Sequence, residues 1–574
     1  MNFDIEVNGK NIEARKGETI LSTLTRNGIK VPTLCNLKEL SPTGACRICV
    51  VEVEGFQSLV ASCSQPVEKG MKILTHSPRV IKARRTLVEL LLSNHPDDCL
   101  YCERNGNCEL QELSKELNIR ERKIIGRKSN LKLDMSSPSI VRDLAKCILC
   151  GRCIRTCDEI QSVSTLEFLN RGSKTKVGTT MNQYLNFSSC IECGQCVLTC
   201  PTAALRERCK VTEVQDALNN DSLTVIAQID PAVFVSLGEE LGLKAGKNIS
   251  GIIFAALKKI GFDYVFDTGV AADIATIEVA TELKTRIENK KHLPLITSSC
   301  PAWVKFVEQF YPELIPHLSH CKSPQQILGS LVINHIAPDL NIKASSIFSV
   351  SITPCLARKF EAQRADMTSK GVSDVDAVLS TRELAKLIRL YGIDTHNIEP
   401  KFADPPFATS SSSGKLHSIS GGTTESIIRT YFHLSTGREL TSKKINEVRI
   451  NSSTKNTEIK IGKETVSATI ANGITNIHQL MSSIISGENG SHLVEVMACP
   501  GGCINGGGQP TGASEKEIKA RLKAIYEIDD NETIKQSHNN EVVKKIYHSY
   551  IKEPRGENAL KTFGIKYSKR EVLT

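Results

Sequence analysis

Aromatic residues are scarce in this chain. They make up 5% of its 574 residues, and Trp303 is the single tryptophan. No basic run is interleaved with aromatics, so a nucleic-acid surface built from stacking and phosphate contacts is not expected. Long apolar runs are missing as well. Stretches such as 251-GIIFAAL-257 reach about a third of a membrane-spanning helix, so no membrane span is expected. The opening MNFDIEVNGK alternates like a strand, with neither the basic head nor the apolar middle of a secretory leader. A soluble, cytoplasmic protein is the expectation. The formal charge of +9 counts every cysteine as neutral, whereas metal-bound cysteines are thiolates.

Cysteine is what the chain has in excess: there are 21. In a large chain without a leader such cysteines bind metal more often than they form disulfides. The length suggests roughly three to five domains at about 150 residues each. Residues 1–80 read as a small sheet domain, with the turn signal 8-NGK-10, a helical run at 19-TILSTLTRN-27 and a strand in 49-CVVEVEG-55. Residues 81–125 read as helical, and a basic, Ser-rich linker, 126-GRKSNLKLDMSSPS-139, leads to a cysteine-dense segment, 138–209. Over 210–512 apolar strands (224–229, 293–298, 347–353, 493–498) alternate with helices, which predicts an α/β domain with a mainly parallel sheet. The tail, 513–574, reads as charged helix. The whole is a multidomain α/β and α+β chain.

Spacing separates the cysteines into groups. Cys35, Cys46, Cys49 and Cys63 have one tight pair flanked by distant ends, which suits a [2Fe–2S] cluster by analogy with ferredoxin-like domains; zinc is the alternative. His95, Cys99, Cys102 and Cys108 form an H-x3-C-x2-C-x5-C set. In isolation it suits zinc, and beside iron–sulfur groups it suits [4Fe–4S], with His95 as a plain surface histidine the bland reading. The runs 147-CILCGRCIRTC-157 and 190-CIECGQCVLTCP-201 are paired bacterial-ferredoxin patterns whose fourth cysteines are exchanged. Cys147, Cys150, Cys153 and Cys200 should hold one [4Fe–4S] cluster, and Cys157, Cys190, Cys193 and Cys196 a second. Of the six cysteines left, Cys300, Cys355, Cys499 and Cys503 stand where apolar strands run out, the usual ligand crevice of α/β sheets. Three strands would bring four thiolates to one place, and 501-GGCINGGG-508 leaves backbone room for something bulky. Cys209 and Cys321 lack this setting and read as structural thiols.

These residues, with the segments 297-TSSCPAW-303, 354-PCLARKFE-361 and 497-MACPGGCINGGGQP-510, resemble an [FeFe]-hydrogenase of the long monomeric type with four accessory clusters. The family patterns are roughly TSCCPxW, PCxxKKxE and MACPGGCxxGGGQ, and the match covers essentially the whole chain. The resemblance implies a β-grasp [2Fe–2S] ferredoxin-like domain, a small helical His/Cys3 cluster domain, a bacterial 2[4Fe–4S] ferredoxin-like domain, an α/β H-cluster domain and a small-subunit-like C-terminal extension. It further implies an H-cluster. Cys300, Cys355, Cys499 and Cys503 would hold its [4Fe–4S] cubane, Cys503 bridging to a two-iron azadithiolate unit with CO and CN ligands. The implied reaction is reversible hydrogen oxidation. Ferredoxin or a similar small carrier would take the electrons, and maturation proteins would build the cofactor. Glu282, Ser319, Ser323, Gln325, Lys359, Glu361, Met497 and 421-GG-422 match family positions.

Departures from the pattern fall around the same pocket. Ser299 replaces the family's proton-relay cysteine. A thiol titrates near pH 8.5, about where a relay needs it, and a serine hydroxyl does not. In 278-EVATE-282, Val279 replaces the first of two path glutamates, and Glu278 is rotated about 100° away round the helix. Arg358 replaces a lysine, keeping charge but not shape. Thr353, His417 and Asp230 replace methionine, phenylalanine and alanine, making the pocket more polar. Loop drift would explain these changes singly; together they suggest a divergent subgroup with altered proton transfer, direction bias or oxygen response. A hydrogen sensor with weak turnover and an electron-transfer or scaffold protein without the two-iron site are the alternatives.

Overall fold

Asn8 and Gly9 take positive φ, 49° and 79°, so the chain reverses tightly between β1 (Asn2–Val7) and β2 (Lys10–Arg15). The two strands pair antiparallel from Asn2–Arg15 to Val7–Lys10. The computed structural model describes residues 2–121, 123–128, 131–440, 449, 454–461 and 464–572. They form two compact units: one holds Met1–Ser188 and Thr199–Arg206, the other Ser189–Leu198 and Glu207–Leu573.

In the first unit, β1 and β2 join β3 (Val50–Val53), β4 (Val60–Ala61) and β5 (Lys72–Leu74) in a sheet of order β2-β1-β5-β3-β4. Alternating apolar residues, among them Ile5, Val7, Val51, Val53 and Ile73, close over helix α1 (Ile20–Arg26) through Ile20 and Leu24. Helix α2 (Pro78–Asn94) starts where Ser77 caps it and Pro78 fixes its first turn. Its Arg84 is buried and donates to the carbonyls of Ile48 (3.1 Å) and Val50 (2.7 Å), which satisfies the guanidinium inside the core. Helix α3 (Glu109–Glu116) packs Leu110 and Leu113 against Val88 of α2. The Ser-rich linker is not all loop. Leu133–Asp134 pairs antiparallel with Ile140–Asp143, and Arg142 bonds Asp134 at 3.0 Å; Ser129 and Asn130 lie outside the described residues.

Among the described residues the second unit holds two four-stranded sheets where one main sheet was expected. The first contains β6 (Thr224–Ile229), β7 (Tyr264–Asp267), β9 (Ile347–Thr353) and β10 (Ala377–Ser380), in order β7-β6-β9-β10, all parallel. The other contains β8 (Leu295–Ile296), β11 (Thr454–Ile461), β12 (Glu464–Asn472) and β13 (Leu493–Met497), in order β8-β13-β12-β11, with only the β11–β12 hairpin antiparallel. Buried parallel strands read as unbroken apolar runs, so β6 and β9 fall where the sequence puts them. Helix α4 (Gly269–Asn289) is buried over most of its length. In the tail, Ser514 and Glu517 form a capping box that starts α9 (Glu515–Asn531). From α9 the fully buried Arg521 donates twice to Glu239 (2.7 and 2.6 Å) and once to the Ile504 carbonyl (2.8 Å). Among the described residues no helix is long and apolar enough to cross a membrane.

Candidate functional site

Each of three strands in the second unit stops just short of a cysteine. After β8 comes Cys300, which caps α5 (Pro301–Phe310), with Pro301 setting the helix start. After β9 comes Cys355, and after β13 come Cys499 and Cys503. Two strand ends come from one sheet and the third from the other, yet the thiols meet. Cys499 senses charge on Cys300, Cys355 and Cys503, and Cys503 senses charge on Cys300 and Cys355. Burial pushes all four thiols up, Cys355 to about 12. Cys355 and Cys499 are buried and Cys300 and Cys503 half-buried, a setting that favours neutral thiols by themselves and thiolates only around a cationic cluster core.

The glycines around Cys503 serve the chain itself. A Cβ on Gly506 or Gly508 would meet the Pro354 carbonyl at 2.5 or 2.9 Å, and one on Gly507 would meet the Gly194 Cα at 2.7 Å. At 506–508 the room read from 501-GGCINGGG-508 is therefore filled by backbone packed on backbone, whereas a side chain on Gly501 would meet nothing within 4 Å. Beside this contact the Gln195 amide donates to the Cys499 sulfur (3.2 Å) and to the Asn505 carbonyl (2.9 Å).

A cavity of about 40 Å³ opens against Cys300, Cys355 and Cys503. Ser299, Arg358, Thr353, His417, Asp230, Gln325 and Met497 all line it, so five of the six departures from the family pattern share one cavity and Val279 does not. Burial opposes charge on Arg358, but Glu361 and the Cys355 thiol hold it protonated; its guanidinium donates to Glu361 (2.7 Å) and to the Ser299 carbonyl (2.9 Å). Glu361 also receives Ser323 (2.9 Å) and the Gln325 amide (3.2 Å), so it positions cavity groups from behind. Lys359 lies away from the cavity, paired with Glu383 at 2.8 Å. His417 is driven down to about 4 by burial and by Arg358, and Nε2 of this neutral ring bonds Thr276 of α4 at 2.8 Å. Burial raises Asp230, against hydrogen bonds from the Ala232 amide and Ser418. The Nδ1 atom of His417 and the Oε1 atom of Gln325 are buried without a partner among the described residues. Four clustered thiols and unmatched polar atoms on the cavity wall fit a polar, thiolate-held iron cofactor. Sequence reasoning missed Ser351, Ser418 and Thr268 on this wall; only the i, i+2 step from Thr353 along β9 signals Ser351.

On helix α4 the residues expected of a proton route fall in different surroundings. Glu282 accepts from Ser319 (2.9 Å) and Arg286 (2.7 Å). Burial opposes its charge, yet His320 and the two arginines Arg555 and Arg286 hold it down to about 2. Val279, three residues earlier, is buried in the apolar core. Glu278 faces elsewhere, accepting from the Tyr547 hydroxyl (2.6 Å) and the Arg555 amide (3.0 Å), as its rotation round the helix predicts.

In the first unit, Cys35 contacts Cys46 and Cys63, and Cys49 contacts Cys63, so these four thiols are one group. Cys147, Cys150, Cys153 and Cys200 line a common cavity. Cys108 is raised by burial and senses Cys102, while Cys99 stands exposed. A larger cavity of about 320 Å³ is lined by Cys46, His95 and Cys147, one residue from each of three groups. The two ferredoxin-like runs repeat in backbone as well as sequence. Leu149 and Gly151 in one, Glu192 and Gly194 in the other, take positive φ. The Leu149 amide donates to Cys147 sulfur (3.5 Å) and the Glu192 amide to Cys190 sulfur (3.4 Å). Cys157 belongs to the first unit, and Cys190, Cys193 and Cys196 to the second. Cys321 is buried in the second unit, raised by desolvation, and Cys209 packs against the core of the parallel sheet.

Comparison with known proteins gives five matched regions. They are a 2Fe-2S iron-sulfur cluster binding domain (1–78), the NADH-ubiquinone oxidoreductase-G iron-sulfur binding region (84–123) and a 4Fe-4S dicluster domain (146–204). The other two are the iron only hydrogenase large subunit, C-terminal domain (223–507), and the iron hydrogenase small subunit (515–570). The chain is 39% identical to the NADP-reducing hydrogenase subunit HndD of Solidesulfovibrio fructosivorans, covering 99% of each. It is 36% identical to iron hydrogenase 1 of Clostridium pasteurianum, covering 98% of this chain and all of that one. Among solved structures, an [FeFe]-hydrogenase HydA1 variant from Chlamydomonas reinhardtii superposes with a TM-score of 0.55 at 30% identity, covering 62% of this chain and 98% of that one.

Proposed function

The chain belongs to the iron hydrogenase family, and from that premise we propose that the second unit catalyses reversible hydrogen oxidation at an H-cluster held by Cys300, Cys355, Cys499 and Cys503. The observation that carries this reading is the gathering of four thiols, two buried and two half-buried, from three strand ends beside one polar cavity. Cys503, a cavity-lining thiol, is the candidate bridge to the two-iron unit. When bound, that unit supplies the metal chemistry by which hydrogen is split or formed. One [2Fe–2S] and three accessory [4Fe–4S] clusters on the other cysteine groups would pass electrons to ferredoxin or a similar small carrier in the cytoplasm. Maturation proteins would build the two-iron unit.

The residues of the chain divide the remaining work. Arg358, oriented by Glu361, presents a fixed positive charge to the cavity, and Gln325 and His417 offer it hydrogen-bonding atoms. Ser299 can pass a hydrogen bond but cannot act as an acid near neutral pH. Ser319 and Glu282 form the outer part of a proton route that reaches Arg286 and His320. Between them and Ser299 the apolar Val279 leaves a gap, so turnover should be limited by proton delivery. The small-subunit-like region, 513–574, ties this unit together through Arg521 and Tyr547.

The test is to mature the protein with its two-iron cofactor, record infrared CO and CN bands, then assay hydrogen with a reduced viologen. Bands with turnover support the proposal. Bands with negligible turnover would replace it with a sensor, and absence of bands after confirmed maturation would sink both.

A further inference from the structure

Far from the thiols in sequence, three side chains of the second unit converge at the end of α8 (Gly422–Thr436). His433 lies in the last turn of that helix. Gly437 ends it in the left-handed conformation (φ 67°), its amide bonding the His433 carbonyl at 2.8 Å, and this reversal carries Glu439 back over the histidine. His538 comes from the C-terminal region, on the single turn Ser537–Asn539. Buried Asp273 accepts from Ser537 (2.7 Å) and from Asn540 (2.9 Å), which fixes that turn on both sides of His538. The two imidazoles stack with centroids 4.1 Å apart and planes 20° from parallel.

The Glu439 carboxylate oxygen lies 3.3 Å from His433 Nδ1 and 3.0 Å from His538 Nε2, and the three atoms fall within 4.8 Å of one another. A divalent ion with bonds of about 2.0–2.2 Å separates neighbouring ligand atoms by roughly 3.0–3.5 Å. The competing explanation is a carboxylate bridging two imidazole N–H groups. It accounts for His538 and not for His433, whose Nδ1 is buried and makes no hydrogen bond among the described residues although the carboxylate is near. An acceptor must lie along the N–H direction, whereas a fellow metal ligand lies off that axis. The Thr430 hydroxyl bonds His538 Nδ1 (3.3 Å), which leaves Nε2 to face the carboxylate, the outer support that metal-binding histidines commonly have.

We infer that His433, Glu439 and His538 bind one divalent transition-metal ion of the zinc class, water completing its coordination. Two imidazoles and a carboxylate are an ordinary ligand set for such an ion. The ion pins the turn at Ser537–Asn539 to the end of α8. This inference does not depend on the hydrogenase chemistry.

Zinc itself is the probe. Cluster-loaded protein is incubated with Zn²⁺, desalted, and examined by elemental analysis and zinc K-edge X-ray absorption. Zinc scavenged by any of the 21 cysteines shows sulfur neighbours, whereas this site shows only nitrogen and oxygen. The expected result is one zinc per chain with a purely N/O shell, lost in His538→Gln and in Glu439→Gln at unchanged iron content and circular dichroism. Equal N/O-bound zinc in wild type and both variants overturns the assignment, as does zinc bound through sulfur alone or no uptake. Hydrogen exchange at 537–540 should slow with Zn²⁺ in the wild type only; exchange indifferent to zinc removes the pinning.

Discussion

Ser299→Cys and Val279→Glu, made singly and together, test whether the proton route has two gaps. A positioned acid or base contributes about 10²–10⁴-fold to a rate, and that gain needs every link. The outer part is in place: Ser319 donates to Glu282 at 2.9 Å, and Glu282 stays ionised above about pH 2. Residue 279 is three positions before Glu282 on α4, so a glutamate there would share its face. With Val279 still in the core, Ser299→Cys supplies an acid with nowhere to draw from, and its gain should stay below about 10-fold, or 1.4 kcal/mol of barrier. Val279→Glu alone should gain nothing. It should cost about 1–3 kcal/mol of stability, because a carboxylate enters a site that held isopropyl. The double variant should exceed Ser299→Cys by about 10²-fold, a strongly non-additive result. The assay is hydrogen evolution from reduced viologen by matured protein, normalised to infrared band intensity, in H₂O and in D₂O. The reasoning is refuted if Ser299→Cys alone equals the double variant, or if the double variant adds nothing to it.

Arg521→Ala removes one partner of a buried, fully bonded pair and should cost about 3–5 kcal/mol in denaturant unfolding; a loss under about 1 kcal/mol would contradict the tie drawn from α9. Burial raises Glu495 to about 7, against amide hydrogen bonds from Gly421 and Thr424. Its folded pKa thus lies above the unfolded one, so its contribution is full below about pH 4.3 and fades as pH climbs through 7, by about 4 kcal/mol at most. Glu495→Gln should flatten that part of the stability profile between pH 5.5 and 8, and parallel profiles would count against it. Trp303 is the only tryptophan, fully buried in the helix that Cys300 caps, so its emission should be strongly quenched in cluster-loaded protein. Cys300→Ser should restore that emission even with the accessory clusters loaded; persistent quenching would place the quencher elsewhere.

The cysteine groups and the parallel strands were legible because both are local signals. A CxxC spacing and an unbroken apolar run need no partner to be recognised, which is why Thr224–Ile229 and Ile347–Thr353 fall on their sequence-based bounds. The split into two sheets was not legible, since pairing depends on which strand finishes beside which. The β11–β12 hairpin was missed for another reason. TKNTEIKI alternates threonine, asparagine and charge with few apolar residues, and it reads as loop until paired. Cavity residues followed the same rule. Arg358 and His417 stood out against a family pattern, but Ser418 and Thr268 carry no mark in one dimension. The glycine run was read for its backbone freedom, and at 506–508 the occupant is backbone, because sequence shows that a side chain is absent and not what takes its place.

At Gly194 and Gly507 two peptide chains touch with nothing but hydrogen between them. Electron tunnelling decays exponentially with the thickness of insulation, and this is the thinnest barrier two main chains can present. On one side is the run that ends in Cys196 and Cys200, and on the other the turn that bears Cys503, with the Gln195 amide stitched to the Cys499 sulfur alongside. A single methyl group at Gly507 would act as a spacer in a circuit. It would leave every thiol and every cavity residue in the sequence unchanged, yet on the electron route proposed above it would slow the current between the cysteine run and the four-thiol site.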